Sequence, residues 1–202
     1  MNEKLRSRFN QILPMITSEQ FLSGKGLGNE IAFYIFDYPP EDELDVRQLT
    51  QSLVEHIRRT KPGLKVDRIN LFKFITDYLK DQGLLEKSFQ MQKEKGGQAL
   101  LKALKGVLHE EKIARRLADH INPKEKDLVL LSGVGSCYPL LRSHTLLNNL
   151  HPLFGHTPMV MFYPGRYDKT SLRLFGKTGL LGDVNEEQRK PANYYRAFKL
   201  VE

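Results

Sequence analysis

Twice in its second half the chain runs a short apolar stretch straight into a glycine or proline turn. Leu128-Val-Leu-Leu131 opens into Ser132-Gly-Val-Gly-Ser-Cys-Tyr-Pro139, and Met159-Val-Met-Phe-Tyr163 opens into Pro164-Gly-Arg-Tyr167. Both runs are too short for an ordinary helix and lack the polar alternation of a half-exposed strand. They read as parallel strands buried on both faces, which deliver polar residues to the rim of an α/β sheet.

The rest of the chain fits that architecture. Ile31 to Tyr38, rich in Phe, Tyr and Ile and bounded by Gly28 and Pro39-Pro40, reads as a first strand. Carboxylates at Glu41 to Asp45 suit a helix start. Val46, Leu49, Leu53 and Ile57 then recur on one helical face until Pro62-Gly63. Leu64 to Asn70 reads as a second strand, which makes a strand–helix–strand unit with an expected right-handed parallel crossover. Residues 84 to 121 read as an inserted helical stretch, with Gly96-Gly97 between two helices and Asn122-Pro123 closing the last. Leu128 to Leu131 and Met159 to Tyr163 supply the third and fourth strands, with a helix from about Pro139 to Leu150 between them. The four strands are expected to lie adjacent in the sheet. Tyr195 to Val201 reads as a final strand after a loop over Leu180 to Asn193. Residues 1–24 form a helical N-terminal segment broken near Pro14, with Thr17 or Ser18 as cap. The expected fold is one α/β domain over residues 1–202, three-layered and Rossmann-like, with a mainly parallel sheet.

Composition narrows the function classes. No apolar run approaches the roughly 18 to 20 residues of a spanning helix, and the charged start Met1-Asn-Glu-Lys-Leu-Arg-Ser-Arg-Phe9 has no apolar core behind it. The lone cysteine, Cys137, cannot form an internal disulfide, so the cytoplasm is the expected compartment. A net charge of +7 admits an acidic partner. The basic residues are scattered among acids, however, so a weak DNA or RNA contact is the second reading and a solvated face the first.

The tempting motifs fail on mechanism. Gly176-Lys-Thr178 matches the end of a phosphate-binding loop, but Ser171 stands where the first glycine is required and Gly179-Leu-Leu-Gly182 replaces the helix that would gather the phosphates. Gly133-Val-Gly135 sits where a dinucleotide turn belongs, yet Tyr138 takes the third glycine's place and no acid follows about 20 residues on. Those glycines then serve a tight turn covered by a partner or another loop. Cys137 with His144 could make a nucleophile and base, a cryptic hydrolase, against the plainer reading of a small buried residue. His144 and His151 are about 10 Å apart along one helix face, too far for one ion. Asp37 and the acids after it stand where a catalytic carboxylate or magnesium ligand could sit, but they also serve the helix start. No cofactor and no metal is expected.

Six ordered blocks make the chain, from about Phe21 onward, resemble the BrxB family of bacterial BREX phage-defence systems. They are Asp127 to Leu150 and Pro158 to Tyr167, which contain the two stretches above, together with Gly26-Leu-Gly-Asn-Glu-Ile-Ala-Phe-Tyr-Ile-Phe-Asp-Tyr38, Ile69-Asn-Leu-Phe72, Leu172-Arg-Leu-Phe-Gly176 and Tyr194-Tyr-Arg-Ala-Phe-Lys-Leu200. The resemblance implies a non-catalytic scaffold or adaptor that binds PglZ, the alkaline-phosphatase-like protein of those systems. The methyltransferase and the large AAA-type ATPase would be more distant partners in a machinery that methylates host DNA and blocks unmodified phage. For that role Arg142, Tyr163, Arg166, Tyr167, Tyr194, Tyr195 and Arg196 are the candidate partner-binding residues, because Arg and Tyr dominate protein interfaces. The same residues could instead satisfy carbonyls and carboxylates inside the domain.

Overall fold

Alternation inside the apolar runs decides which helices cover which face of the sheet. In a computed structural model that describes residues 3–23, 32–169, 171–175 and 197–202, strand β3 (Leu128–Ser132) sends Val129 and Leu131 to one side and Leu128 and Leu130 to the other. Strand β4 (Met159–Tyr167) sends Met159, Met161, Tyr163 and Tyr167 to the first side and Val160 and Phe162 to the second. Strand β1 (Phe33–Tyr38) divides likewise, Phe33 and Ile35 against Phe36 and Tyr38. Because both faces are apolar, both must be covered by helices.

Helices α1 (Glu3–Asn10), α2 (Ile12–Ile16), α3 (Glu19–Leu22) and α4 (Glu43–Thr60) pack on the second face. Helices α5 (Leu71–Asp81), α6 (Leu85–Leu104), α7 (Glu110–Ile121) and α8 (Ser143–Phe154) pack on the first. Ser18 caps α3 by accepting from the Phe21 amide, and Val46, Leu53 and Ile57 form the buried stripe of α4. The helical stretch breaks at Gly96, whose φ of 76° lies in the region that glycine alone adopts freely. Of the twenty residues of α6, only Ser88 and Leu104 are buried.

The strand order is β2-β3-β4-β1-β6, with β2 (Val66–Asn70) and β6 (Phe198–Lys199) at the edges and every pairing on this path parallel. From β1 the chain passes over α4 to the far edge at β2, then returns stepwise through β3 to β4 with α5 to α8 on the opposite face. Opposite directions of travel on opposite faces keep one crossover hand. The first two strands are therefore parallel but not neighbours, and β2, with Asp67 and Arg68 in its five residues, is an edge strand with a single buried residue, Ile69.

Two further boundaries differ from expectation. Helix α8 begins at Ser143; before it, Gly135–Cys137 form a 3-10 turn, Tyr138 is extended, and a cis peptide bond joins it to Pro139. Strand β4 continues through Pro164 to Tyr167 and turns back into antiparallel β5 (Leu172–Leu174). The expected loop over 180–193 and the Gly176-Lys-Thr178 segment lie outside the described residues.

Candidate functional site at the carboxyl edge of the sheet

In open α/β sheets ligands settle at the carboxyl ends of the strands, where the chain switches from one face to the other. Here that place lies between β1, which leads to α4 on one face, and β4, whose neighbour β3 leads to α8 on the other. It is filled by the chain itself. A Cβ at Gly135 would meet Pro164 Cγ at 2.6 Å and the Phe175 ring at 3.2 Å, so the β4–β5 hairpin rests on the turn that follows β3. Gly133, at φ +73°, abuts the side chain of Asn70. That side chain is committed to capping α5 by accepting from the Lys73 amide. Tyr138 meets Phe175 edge-on at 6.4 Å, which closes the turn from its outer side.

The thiol in this turn is not prepared for nucleophilic attack. Cys137 is buried and donates to the Gly133 carbonyl at 3.3 Å, and burial pushes its pKa up to about 12. Burial, and then the Arg142 charge, holds the His144 pKa below the usual imidazole range. Its neutral form could accept a proton, but a thiol held protonated supplies no nucleophile at neutral pH.

Beside the turn, a buried ion network ties distant parts of the chain to the end of β1. Asp37, only 6% exposed, accepts from Arg8 Nη2 at 2.7 Å and from the Tyr167 amide at 3.0 Å, with Lys199 Nζ at 3.5 Å. Arg8 also donates to the Asp37 carbonyl at 2.8 Å and the Val201 carbonyl at 3.1 Å, and lies 4.9 Å from the centre of the Phe36 ring. The Tyr167 hydroxyl donates to the Ala197 carbonyl at 2.6 Å. Helix α1, the hairpin root and the C-terminal residues thus converge on one carboxylate. Two cations and an amide already occupy Asp37, so its role is to join these segments. A second chain of contacts runs along the rim: Tyr38 donates to Glu43, Glu43 accepts from Arg47 at 2.8 Å, and Arg47 reaches Ser136 at 3.3 Å.

The candidate partner residues separate by parity along β4. Tyr163 and Tyr167 are each 1% exposed and belong to the core, so for these two the internal role accounts for their position and a surface role for their rings does not. Arg166, on the opposite face of the strand, is exposed, as is Arg142, whose amide donates to Glu110 at 3.3 Å. Tyr194, Tyr195 and Arg196 lie outside the described residues. Leu44, 70% exposed in the first turn of α4, and Phe72, 41% exposed in the first turn of α5, add apolar surface to the same edge. Sequence reasoning passed over both, because each sits off the apolar stripe of its helix.

Comparison with known proteins supplies the relationship. The sequence profile of the family described as "BREX protein BrxB" matches residues 67–200. The chain belongs to the BrxB family. It is 37% identical over 203 residues to the BREX protein BrxB of Bacillus cereus (strain H3081.97), an alignment covering 98% of both chains. It is 38% identical over 197 residues to the BREX protein BrxB of Escherichia coli O9:H4 (strain HS), covering 98% of this chain and 92% of the relative. No solved structure matches it.

Proposed function

We propose that this chain is a non-catalytic adaptor of a BREX phage-defence assembly, acting in the cytoplasm, and that it binds PglZ directly through the carboxyl edge of its sheet. The observation that carries the reading is the filled switch point. Where an α/β enzyme would admit a ligand, this chain seats its own Pro164 and Phe175 on Gly135, buries its thiol and commits Asp37 to Arg8 and Lys199. The edge then has Arg142, Arg166, Leu44 and Phe72 left to offer, which suits a protein partner better than a small substrate. The BREX methyltransferase and AAA-type ATPase would be reached through that partner.

The test is purification of tagged chain with PglZ alone, without DNA. Co-elution is expected, and it should weaken in Arg166→Ala and Arg142→Ala without loss of melting temperature. No association by the parent protein would remove the adaptor reading.

A second reading, nucleic-acid binding, draws on α6, which exposes Lys87, Lys93, Lys95 and Lys102. Salt separates the two, since phosphate contacts lose affinity by orders of magnitude between about 50 and 200 mM while an anchored protein interface loses little.

A further inference from the structure

Strand β4 runs three residues past its last pairing with β1, Tyr38 against Pro164, and folds back into β5. The result is a two-stranded ribbon that overhangs the carboxyl edge. Its register sets Arg166 directly opposite Arg173, and both are exposed. Side chains so placed share one face of the ribbon with Cβ atoms about 5 Å apart, where like charges repel. Arg173 is partly answered by Asp168 at 3.3 Å. No hydrogen bond or ion pair engages Arg166 among the described residues.

The ribbon is also held so that the pair cannot drift apart. Pro164 and Phe175 sit on Gly135, the Tyr167 amide is held by Asp37, and the Tyr167 hydroxyl by Ala197. Two guanidinium groups carried from adjacent positions of a held backbone form a ready receptor for an oxyanion, because each can offer paired N–H donors in a planar fork.

We propose that Arg166 and Arg173 form a clamp for the carboxylates of an acidic segment of a partner protein. The inference rests on the adaptor reading and names the chemistry that the edge recognises. A protein segment is favoured over a nucleic-acid backbone by two features of the same edge. Leu44 and Phe72 offer apolar surface that phosphates do not use. Glu43, Glu110 and Asp168 interrupt the basic residues, so no continuous track is laid for a phosphate chain.

The experiment is an NMR titration of the full chain at low salt, following the arginine Nε–Hε signals, with a polyglutamate peptide and a random-sequence DNA duplex as probes. The peptide is expected to shift Arg166 and Arg173 first. Affinity should fall at least about tenfold in the double variant Arg166→Gln/Arg173→Gln and stay unchanged in the charge-matched control Lys80→Gln/Lys124→Gln, two exposed lysines outside both candidate surfaces. Peptide shifts centred elsewhere, or a double variant that titrates like the parent, would overturn the clamp. Tighter binding of the duplex at the same two arginines would reassign the site to nucleic acid and equally overturn it. Because neither probe is PglZ, a failure here is separable from a failure of the adaptor to find PglZ.

Discussion

Replacing Asp37 by alanine removes the one group on which three segments converge, so the structure sets the size of the loss. Asp37→Ala strips the Arg8 and Lys199 side chains, 14% and 19% exposed, of their shared anion and leaves the Tyr167 amide without its acceptor. Breaking a buried ion pair from one side costs about 3–5 kcal/mol, and an orphaned buried amide about 1–3. The two overlap, and some water can reach the stranded cations, so about 3 kcal/mol is expected. At roughly 2–4 °C per kcal/mol for a chain of this size, the melting temperature should fall by about 6–12 °C. Urea denaturation of parent, Asp37→Ala, Arg8→Ala and the double variant closes a mutant cycle, and a coupling energy of about 1–3 kcal/mol is expected for the pair. Hydrogen exchange adds location: α1 and residues 197–202 should lose protection first in either single variant. An Asp37→Ala protein within about 1 kcal/mol of the parent, with coupling near zero, would refute the claim that this carboxylate joins the termini to the sheet.

Val129, fully buried in β3 and paired on both sides, leaves no solvent path for a carboxylate, so Val129→Asp should yield no soluble, cooperatively melting protein in expression and thermal-melt assays. Gly135→Val should unseat the hairpin by driving a side chain into Pro164 and Phe175, seen as new exchange over 164–175 with β3 still protected. Cys137, its pKa raised to about 12, should resist a thiol reagent at pH 8 in the folded protein and react once denatured. A folded protein that reacts at the rate of free cysteine would contradict the burial. His144, held neutral by burial, should destabilise the chain as pH falls: the unfolded state gains a proton near pH 6.5 that the folded state takes up only at lower pH. Urea midpoints between pH 7.5 and 5.5 should therefore decline less in His144→Gln. ATP should give no calorimetric heat and no thermal shift, and micromolar affinity that vanishes in Lys177→Ala would restore the phosphate-loop reading.

Three of the strands were legible because each is a buried apolar run stopped by glycine or proline. β2 was harder: Val66-Asp-Arg-Ile-Asn70 reads as a strand only from its place after a helix, and nothing local says that it sits at the edge, three positions from β1. The hairpin was missed because Pro164-Gly165 looks like a stop. It is not one here: β3 no longer pairs with β4 beyond Met161 and Pro164 stands at the last pairing with β1, so a missing amide falls where the ladder ends. A readable signal did separate the candidate residues. Met159, Met161, Tyr163 and Tyr167 share a parity along one strand and hence a buried face, which leaves Arg166 on the other. The Asp37–Arg8 pair spans 29 residues. No local pattern announces such a contact, since it depends on α1 folding back across the end of β1.

The surface that a partner touches decides most directly whether the chain is an adaptor. Hydrogen–deuterium exchange of this protein alone and with purified PglZ, without DNA or nucleotide, reads that surface residue by residue. Protection is expected over the 164–174 hairpin, the 133–142 turn and the first turn of α4, with α1 to α3 unchanged. Protection confined to α1–α3, or none at saturating PglZ, would contradict it.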